Sequence, residues 1–371
     1  MGWGSVWVIY NEIFMALSNG VNIGFFDLEG WEENMIHEAL PEHSVQFYKE
    51  KLHEYTGSEF GFEVISVFVN SEVTKEVMEK FQNLKLIVTR STGYDHIDLE
   101  YCKEKGITVA FVPGYGDNTV AEFAFALILN LTRKMYESID HLKETGAFSY
   151  KGFRGMDLKK KTIGVIGTGR IGKESINIAK GFGMNVIAYD PYPNEEYAKQ
   201  IGFIYVSLNE LLKNSDVITI HTPLNDGTFH LLNMGNISLI KKGAYLVNTA
   251  RGGIVETEAL VYALEKGILA GVGLDVLEEE GEVKDEMKFL KEDETVNVME
   301  TLGGLLKEQN TTEKLKTVIA NHILMKMPNV LITPHNAFNT QEALERILNT
   351  TLENIKGFIH NTLLPKNIAK Q

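Results

Sequence analysis

The most constraining feature of the 371-residue sequence is the stretch Lys161–Asp190, KTIGVIGTGRIGKESINIAKGFGMNVIAYD. Apolar runs at Thr162–Ile166 and Asn185–Tyr189 predict two buried strands, and the residues between them predict a glycine turn followed by a helix. A strand, a helix and a second strand in this order form a parallel α/β unit. The stretch therefore predicts a parallel sheet with helical crossovers.

The turn after the first predicted strand has the pattern G-x-G-x-x-G, formed by Gly167, Gly169 and Gly172. In dinucleotide-binding folds these glycines allow a tight turn, close approach of the backbone to a pyrophosphate, and close packing of helix on strand. The helix that begins at Arg170 and Ile171 would direct free N–H groups and its positive dipole end at that pyrophosphate. A glycine turn in an ordinary strand–helix unit is the alternative interpretation.

The residue that favours the dinucleotide interpretation is Asp190, which ends the second predicted strand 18 residues beyond Gly172. A carboxylate in this place accepts hydrogen bonds from the adenine ribose hydroxyls. Its charge also opposes the 2′-phosphate of NADP. Strand, helix and terminal acid in register therefore predict a site for NAD.

Composition excludes several other classes. A formal net charge of −14 and a pI near 5.3 argue against binding to nucleic acid or to an anionic membrane surface. The single cysteine, Cys102, is consistent with a reducing compartment, so we expect a cytoplasmic protein, and we expect no metal site. Residues 1–20 contain an apolar run that Asn11 and Glu12 interrupt, and we interpret it as an extension rather than a targeting or membrane segment.

The length predicts two domains, and the pattern of apolar runs predicts that both are α/β. Before Tyr115, five apolar runs alternate with amphipathic segments: VNIGFFD, VQFYKE, EVISVFV, KLIVTRS and ITVAFVP. After residue 160 we expect six parallel strands, the two above and four more at Asp216–Pro223, Gly243–Gly253, Ala270–Val276 and Asn329–Phe338. A charged, helical excursion is expected over residues 281–328, and an amphipathic helix over Gln341–Ile359.

A helix is also predicted from Thr119 to Lys134. Thr119 and Glu122 have the spacing of a capping box, and nearly every residue from Val120 to Leu131 is apolar. We therefore expect a helix that is buried all round. It could be a core helix of one subunit, but we favour an inter-subunit element and predict a homodimer.

Three side chains follow the carboxyl ends of predicted strands: Arg251 in NTARGG, Glu280 in GLDVLEEEG, and His335 in TPHNAF. Each has an ordinary alternative, as a surface cation, as part of a solvated acidic run, and as a satisfied histidine beside a proline. Together they would place a base, an orienting carboxylate and a substrate clamp at the sheet edge that binds the cofactor.

The sequence resembles the D-isomer-specific 2-hydroxyacid dehydrogenases, most closely the D-lactate dehydrogenase branch. The motifs STGYDHIDLEYCKEKGI, NTVAEFAFALIL, GTGRIG, HTPL, NTARGGIVE, GLDVLEEEG and TPHNAF appear in the order found in that family. The resemblance implies two doubly wound parallel-sheet domains, with a Rossmann domain (residues 117–335) inserted into a discontinuous flavodoxin-like substrate domain (residues 1–116 and 336–371). The segment between Glu280 and His335 is longer than relatives usually have.

The resemblance also implies the roles of individual residues. His335 would be the acid/base, Glu280 would bond its far ring nitrogen and favour the imidazolium, and Arg251 would clamp a 2-oxoacid or D-2-hydroxyacid. Phe338 would pack against the substrate side chain and favour pyruvate over larger 2-oxoacids, although a core role is the alternative. Further expected contacts are Thr222, Pro223, Thr249, Ala250 and Asp275 for the cofactor, and Thr92, Gly93 and Tyr115 for the substrate.

Two further interpretations use the same fold. NAD-sensing corepressor modules retain the three residues, but they typically carry a long extra tail, whereas this sequence ends soon after its closing helix. The formate dehydrogenase branch has glutamine where Glu280 stands, which disfavours that activity. A broader-specificity 2-oxoacid reductase, acting on hydroxypyruvate, glyoxylate or 2-oxoisocaproate, is the main alternative to a D-lactate dehydrogenase.

Overall fold

The computed structural model describes residues 20–57, 60–280 and 311–370. They divide into two units. Unit 1 contains the described residues up to Tyr115 together with those from Thr340 onward, and unit 2 contains the described residues from Gly116 to Asn339. These boundaries differ by one and four residues from those expected after residues 116 and 335.

Unit 1 is built on five parallel strands in the order β2–β1–β3–β4–β5. This is the flavodoxin-like order, and the chain changes direction across the sheet between β1 and β3. Every residue of β3 and β4 is buried, as expected for parallel strands covered on both faces. The five predicted strands are confirmed, with bounds β1 Asn22–Phe25, β2 Ser44–Phe47, β3 Val64–Val67, β4 Leu86–Thr89 and β5 Thr108–Ala110.

Unit 2 is built on seven parallel strands in the order β12–β11–β10–β9–β6–β7–β8. This is the Rossmann order with one strand added at the β12 edge. The prediction of six strands is wrong, because β8 has only two residues, too few to give an apolar run. The bounds are β6 Thr162–Ile166, β7 Asn185–Tyr189, β8 Ile204–Tyr205, β9 Val217–Ile220, β10 Ala244–Asn248, β11 Leu269–Leu274 and β12 Val330–Ile332.

The helices cover these sheets. The described residues contain α1 Glu32–Ala39, α2 Lys75–Met78, α3 Leu99–Lys105, α4 Asp117–Arg133, α5 Met135–Thr145, α6 Arg170–Gly181, α7 Glu195–Ile201, α8 Leu208–Asn214, α9 Thr257–Glu265, α10 Thr311–Lys326 and α11 Gln341–Ile359. Short 3₁₀ helices lie at Leu52–Glu54, Ile237–Leu239, Gly252–Ile254 and Pro365–Asn367.

Helix α11 has the predicted bounds and returns to unit 1. Its apolar face, with Leu348, Leu352 and Ile355, packs in one cluster with Ile23 and Val88 of the unit 1 sheet. The N-terminal end is capped by Thr340, whose hydroxyl accepts a hydrogen bond from the backbone N–H of Ala343. The C-terminal helix therefore completes the core that the first part of the chain begins.

Helix α4 differs from its prediction in two ways. It begins at Asp117 after Gly116 and has no side-chain cap, so the capping box is wrong. It packs on α6, β10 and β11, but Glu122 and Ala126 on its other side are exposed, so it is not buried all round in this chain. The apolar run therefore forms a core face within unit 2 and leaves one stripe at the surface.

Two predictions fall wholly or partly outside the described residues. The first is the extension over residues 1–20. The second is the excursion over residues 281–328, whose described part contains α10. Within the described part of the chain, no helix combines the length and apolar character needed to cross a membrane.

Candidate active site

The glycine turn between β6 and α6 has two glycines that the protein itself requires. Gly167 has a φ of 89°, and a Cβ on it would lie 2.8 Å from the carbonyl carbon of His221. A Cβ on Gly172 would overlap the carbonyl oxygen of Gly167. Gly169 is different, because a Cβ there would meet no atom within 4 Å. Open space above Gly169 is what close approach of a pyrophosphate needs.

The first turn of α6 is arranged for an anion. Gly169 is its N-cap and offers no side-chain acceptor, and the first turn contains no acidic residue. The first N–H groups of a helix have no partner within the helix, and its dipole favours negative charge there. Arg170, at the start of α6, is largely exposed and lies 3.5 Å from Asp117. The turn therefore fits the pyrophosphate of a dinucleotide.

Asp190 lies just beyond the end of β7 and is held in one orientation. Its Oδ2 atom accepts hydrogen bonds from the backbone N–H of Thr168 at 2.7 Å and from the Thr168 hydroxyl at 2.9 Å. The other oxygen, Oδ1, accepts from the backbone N–H of Tyr192 at 2.9 Å. Neighbouring backbone thus orients the predicted ribose-binding carboxylate.

Two polar atoms beyond the ends of the next strands are buried without a hydrogen-bond partner among the described residues. They are Nδ1 of His221, just after β9, and Oγ1 of Thr249, just after β10. Burial lowers the pKa of His221 to about 3, so the ring is neutral. Its other nitrogen, Nε2, lies 2.8 Å from Ser175 Oγ of α6 and 3.0 Å from Thr219 Oγ1. Buried polar atoms usually have partners, so these two are candidates for contact with a ligand at the carboxyl ends of β9 and β10.

The segment carrying Arg251 is held by a residue that the sequence analysis missed. Asn248 is 1% exposed, and its Oδ1 accepts a hydrogen bond from the backbone N–H of Ala250 at 3.0 Å. Its Nδ2 donates to the carbonyl oxygen of Arg251 at 2.8 Å. The half-buried guanidinium of Arg251 donates through Nη1 to the carbonyl oxygen of Ala250. An asparagine at the end of an apolar run was the only signal in the sequence.

His335 and Glu280 meet as predicted. Nδ1 of His335 lies 3.2 Å from Oε2 and 3.3 Å from Oε1 of Glu280. An ionised carboxylate only accepts hydrogen bonds, so Nδ1 carries the proton and Nε2 faces away from Glu280. The backbone of His335 is left-handed, with a φ of 53°, which is uncommon for a residue other than glycine and is found at functional sites.

Asp275 fixes that unusual backbone. The carboxylate is 1% exposed and accepts from the Thr333 hydroxyl at 2.6 Å and from the backbone N–H groups of Asn336 and Ala337, both at 2.8 Å. Burial raises the pKa of Asp275, and these hydrogen bonds act in the opposite direction. The residue expected to face the nicotinamide thus also holds the loop on both sides of His335.

A second carboxylate in the acidic run is also part of the architecture. Glu278 accepts from His230 Nε2 at 2.6 Å and from the Thr257 hydroxyl at 2.9 Å, and its carbonyl oxygen accepts from Asn321 Nδ2 at 2.8 Å. Only 12% of its side chain is exposed. Neither His230 nor Glu278 stood out in the sequence, because a run of three glutamates gives no sign of which one turns inward.

The residues of unit 1 that were expected to bind substrate lie on its own sheet edge. Thr92 and Gly93 follow β4, and the Thr92 hydroxyl donates to the carbonyl oxygen of Val112 at 2.8 Å. Tyr115 is half-buried, and its carbonyl oxygen accepts from Arg346 Nε at 2.6 Å. These contacts order the loop backbone, which is the part of Thr92 and Gly93 that the resemblance assigns to the substrate.

A buried cation stabilises the start of that loop. Arg90 is 2% exposed and donates to Ser66 Oγ at 3.2 Å and to the carbonyl oxygens of Phe26 and Asp27. Glu32 lies 3.7 Å from its Nε. Burial raises the pKa of Glu32, and the charge of Arg90 acts in the opposite direction. A buried pair with several hydrogen bonds tolerates little movement, so β1, β3 and β4 are tied together at their carboxyl ends.

Comparison with known proteins identifies the family of this chain. The model of the D-isomer specific 2-hydroxyacid dehydrogenase family, NAD binding domain, matches residues 125–337. The chain belongs to this family. It is therefore an oxidoreductase that uses NAD, and the matched residues lie within unit 2.

Individual relatives differ in their substrates. The 2-hydroxyacid dehydrogenase A of Aspergillus oryzae is 39% identical over 83% of this chain and 82% of its own. An aromatic 2-oxoacid reductase of Clostridium sporogenes is 37% identical over 80% of this chain and 83% of its own. The D-lactate dehydrogenase of Aquifex aeolicus, solved with NAD and lactic acid, has a TM-score of 0.79 and 37% identity, covering 94% of this chain and 99% of its own.

Proposed function

We propose that this D-2-hydroxyacid dehydrogenase reduces pyruvate to D-lactate reversibly with NADH. The observation that supports the proposal is the His335–Glu280 pair on a loop that Asp275 holds in a left-handed conformation. The solved relative with NAD and lactic acid supports the choice of substrate. Unit 1 is proposed to be the substrate domain and unit 2 the NAD domain.

In this proposal His335 moves the proton. When bound, NADH supplies the hydride that reaches the keto carbon. Because the Nδ1–H group of His335 donates a hydrogen bond to Glu280, Nε2 is the nitrogen available to the substrate. The imidazolium gives its Nε2 proton to the carbonyl oxygen as that oxygen gains charge, and the neutral ring takes it back in the oxidation direction. One hydride and one proton thus convert the ketone into an alcohol.

Arg251 is proposed to fix the substrate for that transfer. A guanidinium presents a planar fork that matches carboxylate geometry, and it is always charged. The buried side chain of Asn248 donates a hydrogen bond to the carbonyl oxygen of Arg251, so the backbone that carries the guanidinium is fixed. Thr92 and Gly93 are proposed to contact the substrate through their backbone N–H groups. Orientation of this kind is a large part of catalysis in such sites.

Substrate size is the finer part of the proposal. Phe338 lies three residues after His335 and is half-buried, next to Ala337, which Asp275 anchors. A ring that is not fully enclosed by protein supports a role in the substrate pocket, where it would leave room for a methyl group. The aromatic 2-oxoacid reductase among the relatives favours the second candidate, a reductase for larger 2-oxoacids.

One experiment decides between these candidates. NADH oxidation is followed with pyruvate, hydroxypyruvate, glyoxylate, 2-oxoisocaproate and phenylpyruvate, in the wild type and in Phe338→Ala. We expect pyruvate to have the highest kcat/KM in the wild type, and Phe338→Ala to shift the ratio towards 2-oxoisocaproate by about 10-fold. A wild type that prefers phenylpyruvate would identify the second candidate. An unchanged ratio in the variant, with only a lower melting temperature, would make Phe338 a core residue.

We also propose a cytoplasmic homodimer. Helix α5 has no buried residue, and its apolar side chains Met135, Tyr136, Ile139 and Leu142 are all exposed, followed by Phe148 at 96%. A continuous apolar surface of this kind is typical of a protein interface. A second copy of the chain would cover it together with the exposed stripe of α4. A monomer in light scattering would contradict the proposal.

A further inference from the structure

The orientation of Asp190 depends on Thr168, a residue that the sequence analysis did not single out. Thr168 lies between the first two glycines of the turn, is 6% exposed, and donates twice to Asp190 Oδ2. The phenolic oxygen of Tyr205 lies 2.9 Å from the hydroxyl oxygen of Thr168. The three side chains therefore form one chain of hydrogen bonds that ends at the ribose-binding carboxylate.

The direction of this chain follows from the chemistry of its end. The carboxylate of Asp190 can only accept, so the Thr168 hydroxyl proton points at Oδ2. That hydroxyl has no second proton, so Tyr205 must be the donor between the two hydroxyls. Hydrogen bonds linked in one direction polarise and strengthen one another. Tyr205 thus acts on Asp190 through Thr168.

Tyr205 itself has a fixed position. It lies in the edge strand β8, where it pairs with Ala188 of β7, two residues before Asp190. Its ring packs edge-on against Phe203, with 5.2 Å between ring centroids. Donors placed on strands are held more precisely than donors on loops. The two-residue strand therefore gives the hydrogen-bond chain a rigid origin.

The remaining capacity of Asp190 is small. A carboxylate has about four lone-pair positions, and within the described chain Thr168 and Tyr192 occupy three of them. The position that remains is on Oδ1. The carboxylate cannot turn aside for a 2′-phosphate without breaking the chain to Tyr205.

We propose that Tyr205 and Thr168 determine the preference for NAD over NADP, because they hold Asp190 where it accepts a ribose hydroxyl and opposes a 2′-phosphate. This inference rests on the proposed use of NADH and on the predicted role of Asp190 as the carboxylate that binds the adenine ribose. Tyr205 and Thr168 are positioning residues, and they act on cofactor choice rather than on the chemical step.

The test measures the dissociation constant of NADPH divided by that of NADH, by titration calorimetry on the full chain without substrate. A high ratio means a preference for NADH. Tyr205→Phe should lower the ratio about fivefold, the size of one lost hydrogen bond. Thr168→Val should lower it about 10-fold, because the hydroxyl that contacts Asp190 is lost. In the double variant of Tyr205 and Thr168, the ratio should be the same as in Thr168→Val, because both residues act on Asp190 through the same series of hydrogen bonds. Thr168→Ser should keep the wild-type ratio.

Tyr197→Phe is the matched control, because the Tyr197 ring packs against the same Phe203. It should leave the ratio unchanged. An unchanged ratio in Tyr205→Phe and Thr168→Val, or additive effects in the double variant, would overturn the proposal. Asp190→Ala separates the two levels. If Asp190→Ala lowers the ratio but Tyr205→Phe and Thr168→Val do not, Asp190 selects the cofactor without help from Tyr205 and Thr168. If Asp190→Ala also leaves the ratio unchanged, Asp190 does not select the cofactor either.

Discussion

The cofactor end and the catalytic end of unit 2 fix their acidic residues by different means. At the cofactor end, Asp190 is bonded to Thr168 and Tyr192, which are 22 and 2 residues away in the chain. At the catalytic end, His335 meets Glu280 across 55 residues, and Asp275 reaches loop residues 58 to 62 positions later. The hydrogen bonds at Asp190 lie within a single strand–helix–strand unit, whereas those at His335 join the segments that follow two strands, β11 and β12.

The hydrogen-bond lengths at the two ends differ in the same way. The hydrogen bonds at Asp190 are 2.7 to 2.9 Å long, whereas the two contacts of His335 with Glu280 are 3.2 and 3.3 Å. The network at Asp190 is short and closed. The His335–Glu280 pair is looser and one-third exposed at His335, which suits the proposed role of a ring that gains and loses a proton. Changes at the two ends should therefore separate cofactor binding from turnover.

The largest separation should come from His335→Ala. Loss of the proton donor should lower kcat for reduction by about 100-fold or more. Binding of NADH, measured by calorimetry, should change little, because the glycine turn and Asp190 are untouched. A parallel loss of NADH affinity would show that the two ends are not independent.

The next effect should come from Arg251→Lys, which replaces a planar fork by a point charge. We expect KM for pyruvate to rise by about 10- to 100-fold while the dissociation constant of NADH stays within about twofold. Arg170→Lys is the matched control, since it makes the same replacement at the cofactor end. That variant should leave KM for pyruvate unchanged, and a rise in KM there with none in Arg251→Lys would contradict the assignment of Arg251.

Glu280→Gln should move the pH profile rather than abolish activity. The wild-type carboxylate is a charged partner for Nδ1 of His335, and a neutral amide favours the charged ring less. We therefore expect the profile of kcat/KM for reduction to move towards acid. Glu279→Gln removes the same charge one residue away and should leave the profile in place. An unmoved profile in Glu280→Gln would end the assignment of Glu280.

The smallest effect at neutral pH should come from His221, which links β9 to α6 under the glycine turn. Its pKa is about 3 in the folded chain and about 6.5 when unfolded, so the unfolded chain binds a proton first as the pH falls. This contribution to stability is complete above pH 6.5 and is lost towards pH 3, by up to about 1.4 kcal/mol per pH unit. His221→Gln keeps a polar atom near Ser175 but does not titrate. Urea unfolding at pH 7, 6 and 5 should show a flatter loss of stability in the variant, and equal slopes would contradict the assignment.

Apolar runs and helical periodicity predicted most strands and the C-terminal helix, because these patterns depend only on residues that are close together in the sequence. The apolar runs gave eleven of the twelve strands described, and α11 has the predicted bounds Gln341–Ile359. The cap prediction failed because the T-x-x-E pattern at Thr119 lies inside a helix that begins at Asp117. The strand at Ile204–Tyr205 was missed because it is too short to give a pattern. A two-residue strand is defined by its partner β7, not by its own periodicity.

The sequence by itself determined the fold class, the cofactor motif and the three residues at the strand ends, because hydrophobic periodicity and glycine spacing are local properties. Only the tertiary structure decided that Glu278 of the acidic run turns inward to His230. It also decided that Tyr205 reaches Asp190 through Thr168. These contacts join residues that lie far apart in the chain, and their partners are set by how strands pair, which no short stretch of sequence records.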